Sequence, residues 1–307
     1  MQMVRWSIMA GAVAAIIPIS TAKADPTPEC NVGPAPGSTE CGVNSTASAE
    51  NGTAVGTLAV ASGDSSTALG TGAVATGRGA TAIGTVTNAE GMGAVAIGVH
   101  ATATGLGSFA GGVFSEASGT LATAIGRGAT ASGAQSTATG ANAIASGAES
   151  SAFGDQASAS GDASTALGSQ AQATAANSVA LGAASVADQA NTVSVGTVGG
   201  ERRVVNVAAG TAGTDAVNVS QLTALSFDIR REARAGTASA LAVAGLPQAS
   251  GEGRTMIAGA VGTYRGKIAF AVGASHRLQG GQGTFKVGIT YDSEKHVGAN
   301  GGFGFEF

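Results

Sequence analysis

Glycine recurs at every seventh position from 56 to 196. Of the twenty-one positions in that register nineteen are Gly, the exceptions being Ala175 and Gln189, and Ala stands two places earlier in all but one, Ser194. With 50 Gly in 307 residues, chance does not set such a register. Seven is also the coiled-coil interval, but a Gly in each heptad costs roughly 1 kcal/mol relative to Ala. With Thr and Ser filling most other positions, no heptad helix survives. A second beat lies on top of the first. The residue before Gly is large in alternate units, as at Leu69, Ile83, Ile97, Ile125, Phe153, Leu167 and Leu181, and is Thr or Ser in those between, as at Thr76, Ser118 and Ser146. The structural repeat is therefore fourteen residues.

Within a unit such as Ala80-Thr81-Ala82-Ile83-Gly84 the small residues alternate with larger ones, the period of a strand. Two five-residue strands joined by tight turns make a fourteen-residue coil whose neighbour hydrogen-bonds to it, a β-solenoid. At about 4.8 Å per coil, ten coils give a rod of roughly 50 Å. The inward positions take only Ala, Ser and Gly because two short sheets face each other closely. Outside, one face presents Ile83, Val95, Ile97, Ile125, Phe153, Leu167, Val179 and Leu181, whereas the other is expected to be polar. A long apolar stripe of this kind is normally buried, and copies of the same chain are the simplest partner.

The segments NSVALG at 177–182 and GAVAIG at 93–98 resemble the head repeats of YadA-like trimeric autotransporter adhesins. That resemblance implies a left-handed parallel β-roll, three of which pack through their apolar faces. A Thr-rich solenoid of the ice-binding kind is the alternative for the repeat alone, since Thr67, Thr81, Thr123, Thr137 and Thr165 recur at multiples of fourteen. Each sits on the apolar face, which favours burial.

Beyond 196 the beat stops, and the stretch 191–222 resembles the neck of the same family, where each chain crosses to its neighbour. Arg202, Arg203, Asn206, Asp215, Asn218 and Gln221 are the neck residues on this reading. Glu201, Arg202, Arg203 and Asp215 invite a catalytic role, but no nucleophile with a His partner accompanies them, and inter-chain salt bridges are the expected use. A helix is predicted to begin within 215–221 and to carry Leu222, Leu225 and Ile229 as one apolar seam. Further along, Gly236, Ser239 and Ala240 suit a helix in a crowded pore.

The last stretch turns to longer alternation. Ile268, Phe270 and Val272 alternate with Ala269, Ala271 and Gly273, and Phe303, Phe305 and Phe307 close the chain against Gly302, Gly304 and Glu306. Strands of about ten residues, apolar on one side and small on the other, are those of an outer-membrane barrel. Four strands cannot close, and an open edge in lipid leaves backbone groups unpaired. Two chains would give eight strands with a lumen filled by side chains; three give twelve, wide enough for helices. The resemblance to the family's membrane anchor, carried by GTYRGKIAFAVGASHRL, agrees.

The N-terminal 24 residues, with Arg5, an apolar run and Ala22-Lys23-Ala24, read as a secretory signal peptide. In the oxidising compartment this implies, Cys30 and Cys41 are expected to form a local disulfide, their spacing being no metal motif. The expected organisation is signal peptide 1–24, leader 25–50, roll 51–196, neck 197–221, stalk and pore helix 222–250, and barrel anchor 251–307. The fold class is thus mostly β: a 14-residue-repeat parallel roll, a short coiled-coil helix, and four strands per chain toward a twelve-stranded barrel. A net charge of −4 offers no basic patch for nucleic acid, and His100, His276 and His296 lie in different regions, the first on a coil turn and the others near strand ends, with neither metal-ligand spacing nor a triad among them. No cofactor is expected. The sequence points to a homotrimeric surface adhesin rather than an enzyme, with outer-membrane lipid, the barrel-assembly machinery and a host-matrix or cell-surface ligand as partners. The alternative is a passive surface-layer or self-associating protein without a host receptor.

Overall fold

A computed structural model describes residues 30–306. The signal peptide, the start of the leader and Phe307 lie outside the described residues. The chain forms two compact bodies, one ending at Arg203 and the other beginning at Val204, so the boundary falls inside the stretch expected to act as one neck.

The first body is the solenoid. Its strands alternate between three residues, as in Thr81–Ile83, and two, as in Asn88–Ala89. The five-residue strands expected from the alternation are therefore too long, because most of each coil lies in its two corners. Register repeats every fourteen residues: Val95 pairs with Thr81 and with Phe109, both in parallel. The longer strands build one sheet and the shorter ones the other. Between them runs a core made almost wholly of Ala, from Ala47 to Ala187.

The two sets of glycines serve the same stacking in different ways. Gly84 has φ 133°, a backbone conformation closed to L side chains, and a Cβ there would collide with the Gly98 carbonyl one coil on. Gly91 has no such φ, yet its Cβ would collide with the carbonyl of Gly105. Coils 4.8 Å apart leave no room for a methyl at either corner. The departures Ala175 and Gln189 fall in the last coils, where the stack ends at Val186–Ala187 and Val193–Ser194.

The roll starts earlier than residue 51. Thr39–Cys41 and Thr46–Ala47 already pair in parallel with later coils, and Cys30–Val32 lies antiparallel on Thr39–Cys41. Cys30 and Cys41 are joined as a disulfide across this pair. Glu40 occupies the inward position held by Ala54 and Ala68 in the next coils. Buried there, its Oε1 accepts the backbone N–H of Ala47 at 2.7 Å. Thr46–Ala47 is the terminal strand of its sheet, so this carboxylate takes the place of a missing coil.

The second body contains a helix, Val219–Ala244, and four antiparallel strands in sequential order: Thr255–Tyr264, Lys267–Arg277, Gly283–Asp292 and Val297–Phe305. The helix lays Ala235, Ala238 and Ala242 on the sheet. Gly262 lies where a Cβ would collide with the backbone of Ala238 and Ala242.

Candidate functional site

On the head, all eight apolar residues expected at an inter-chain face lie on the outer side of the longer-strand sheet. Each is exposed or half-buried in the single chain. The outer side of the shorter-strand sheet is mainly Thr, Ser, Asn, Gln and Glu. Val60, Val74, Ile144 and Val186 interrupt it, so this face is less polar than expected. At the corners the residue with left-handed φ is often Gly or Asn, but it is also Val86, His100 and Phe114. The His100 ring stacks on Phe114 with centroids 5.0 Å apart.

The neck residues divide between the two bodies. Arg202 is fastened to the last coil: its Nη1 donates to Ser185 Oγ and Val195 O, each at 2.7 Å, and its Nη2 to Ala183 O. These bonds clamp the Arg202 side chain to the last coil of its own chain. Glu201 accepts the Gly199 N–H, which holds its carboxyl below the usual glutamate range. Asp215, Asn218 and Gln221 instead build the start of the helix. Asn218 is the N-cap, and Gln221 completes a capping box with it. The Gln221 amide also bonds both the N–H and the carbonyl of Gly210, at 2.9 Å each. Asp215 accepts the Ala212 and Thr211 N–H groups, and these bonds lower its pKa. Arg203 and Asn206 are exposed.

Along the helix, Leu222, Leu225 and Ile229 are exposed in the single chain. The small residues chosen from sequence, Gly236, Ser239 and Ala240, do not carry the main contact with the chain's own sheet; Ala235, Ala238 and Ala242 do. Only the register against Gly262 separates these two small-residue stripes. Below them Leu246 packs over Gly273 and Gly288, and Ala249 N–H donates to the buried Ser275 Oγ at 2.8 Å.

In the sheet, Ile268, Phe270, Val272, Phe285, Val287 and Ile289 point outward. Gly262, Ala269, Ala271 and Thr290 are buried on the helix side. Phe303 and Phe305 meet edge to face at 4.6 Å on the outward side. The first and last strands each keep one edge without a partner strand among the described residues. No described helix is long and apolar enough to cross a membrane. Among the described residues no group of three or more His, Cys, Asp or Glu could hold a metal ion.

Three family models match in chain order. The YadA head domain repeat matches in six stretches from 42–59 to 173–197, the coiled stalk of trimeric autotransporter adhesin matches 203–240, and the YadA-like membrane anchor domain matches 247–307. The chain belongs to the YadA-like trimeric autotransporter adhesins.

Among curated relatives, the autotransporter adhesin NhhA of Neisseria meningitidis serogroup B is 36% identical over 100 residues, which is 30% of this chain and 17% of that protein. The chain thus spans a small part of the relative it matches. Among solved structures, the collagen-binding domain of the Yersinia adhesin YadA is 30% identical, with a TM-score of 0.40, over 54% of this chain and 85% of that one. A YadA-like adhesin is a surface protein and not an enzyme: its anchor lies in the outer membrane and its head is exposed on the cell. The family assembles as homotrimers.

This location orients the anchor. The chain from the exposed head enters the helix at its N-terminal end; the strand turn nearer that end carries Glu294, whose carboxylate meets Arg231 Nε, midway along the helix, at 2.9 Å and Lys267 Nζ at 2.6 Å. Turns at that end face outward, and the Leu246 end faces the periplasm. The hydrogen bond from Lys267 holds the Glu294 carboxyl below the ordinary glutamate range, with Arg231 adding to the effect.

Proposed function

We propose that this protein attaches the cell to extracellular matrix or host-cell surfaces through the outer faces of its roll. The repeat itself carries this reading. A stack of near-identical coils displays one chemistry many times along a rod, and three rods per trimer with many trimers per cell convert weak contacts into avidity. In the homotrimer the face bearing Ile83, Val95, Ile97, Ile125, Phe153, Leu167, Val179 and Leu181 turns toward the other copies. The Leu222, Leu225 and Ile229 seam does the same in the stalk, where Gly236, Ser239 and Ala240 allow close approach of helices. Three anchors supply twelve strands, and Phe303, Phe305 and Phe307 are the end read by the barrel-assembly machinery.

Purified full-length trimer, arrayed against collagen, fibronectin, laminin and itself, tests the proposal. Saturable binding to a matrix protein is expected. Signal from self-association alone would replace host attachment with autoaggregation.

A further inference from the structure

The corners of the roll form two edges that flank the apolar sheet, and most of their residues are polar or small. Three consecutive coils differ, and they differ on both edges at once. On the edge that follows the longer strand stand Val86, Val99, Val113 and Phe114, the last 61% exposed. On the opposite edge of the same coils stand Met92, Leu106 and Leu121, the last 57% exposed. The coil just below offers Gly72 and Gly79 at the same corner positions, and the one just above offers Gly128 and Gln135; lower in the roll Val43 and Leu58, the latter 54% exposed, are apolar on one edge only, with Glu50, Asn51, Asp64 and Ser65 on the other.

These residues occupy unfavourable backbone. Val86, Phe114 and Leu121 have φ of 56°, 58° and 56°, where a β-branched or bulky side chain is strained. Strain kept for an exposed apolar side chain points to a partner that covers it. A threefold axis along the rod sets the identity of that partner. Rotation about such an axis preserves height, so one edge of each roll meets the opposite edge of the next roll at the same coil. Apolar residues matched in height on two different edges are what such a contact needs, and the patches continue the apolar sheet face between them.

We infer that these coils form a lateral lock within the head trimer, in which Val86, Val99, Val113 and Phe114 of one chain pack on Met92, Leu106 and Leu121 of the next copy. The lock rests on the reading that the rolls associate through their apolar sheets. It adds contacts outside that sheet and closes the grooves between rolls at one height.

Paired cysteines test it in the full-length outer-membrane protein. Val99→Cys with Leu106→Cys should give a covalent trimer after mild oxidation, read on a boiled, non-reducing gel, and neither single variant should do so. Ile97→Cys, on the sheet face, is the control for association of the rolls. Cross-linking of Ile97→Cys without the edge pair would overturn the lock and leave the packed sheets standing; failure of both would reject the two together. Leu121→Gly, which installs the residue found at the equivalent corners Gly93 and Gly107, gives a second readout with opposite signs. It removes the strained φ, so a side chain left in solvent predicts an unchanged or higher melting temperature, which would overturn the lock. A side chain buried between copies predicts a lower one.

Discussion

A single residue decides whether two coils can stack. Gly98, with φ 134° and the Gly112 carbonyl against its α-carbon, has no room for even a methyl group. Gly98→Ala should destabilise the head by about 1–3 kcal/mol, seen as a lower midpoint in denaturant unfolding. The inner ladder allows a change of the opposite sign. Ser66, Ser108, Ser136, Ser150 and Ser164 bury hydroxyls with no hydrogen-bond partner, while Ala80, Ala94 and Ala122 fill the equivalent positions in other coils. Ser150→Ala removes a buried unsatisfied group without changing the packing and should raise stability by roughly 1 kcal/mol. At this scale the glycine beat was legible, since close stacking imposes the same requirement on every coil. Residues at left-handed corners were not, because Val86 and Phe114 stand where backbone preference favours Gly or Asn. Arg202 was visible as a charge, but nothing local reveals that its partners are Ser185, Val195 and Ala183.

The strands of the roll are only two or three residues long, and in both bodies the ends of elements bear on stability. At the N-terminal end the disulfide holds an antiparallel strand over one sheet, while Glu40 satisfies the edge of the other. Cys30→Ser with Cys41→Ser, which opens an eleven-residue loop, should cost about 3 kcal/mol in the unfolding of the head. Oxidised and reduced wild-type protein should differ by the same amount. At the outer rim of the anchor, Glu294 holds both Lys267 and Arg231. Its folded pKa is depressed, so its contribution is complete above the ordinary glutamate value, about 4.3, and is lost as pH falls through the lower folded value. Heat resistance of the trimer should therefore fall in that acidic window, and Glu294→Gln should flatten the profile there. Alternation marked the four anchor strands well because lipid and helix impose opposite demands on successive residues. It overestimated the roll strands, since the same alternation runs on into corners that no longer pair. The leader boundary failed for a related reason: Glu40 replaces the periodic Ala at the one coil that must end a stack.

At the scale of the whole molecule, one chain carries a head with an uncovered apolar face and a sheet with two unpaired edges. Neither is stable alone in its surroundings, so association is part of folding. Deleting the Val297–Phe305 strand removes the partner of Gly283–Asp292 and should abolish display, checked by protease access to the head on intact cells. The overall plan was readable because repeat, seam and alternation are each periodic. The division of the neck between two bodies was not, since its contacts are irregular.

The unpaired flanks of the four-strand sheet also bear on inheritance. A cell making sound and damaged versions of this chain draws three subunits for every wall it closes, and one bad stave leaks the barrel. The yield of intact assemblies then falls as the cube of the sound fraction, so a lesion in this segment acts dominantly even when the normal copy is fully expressed.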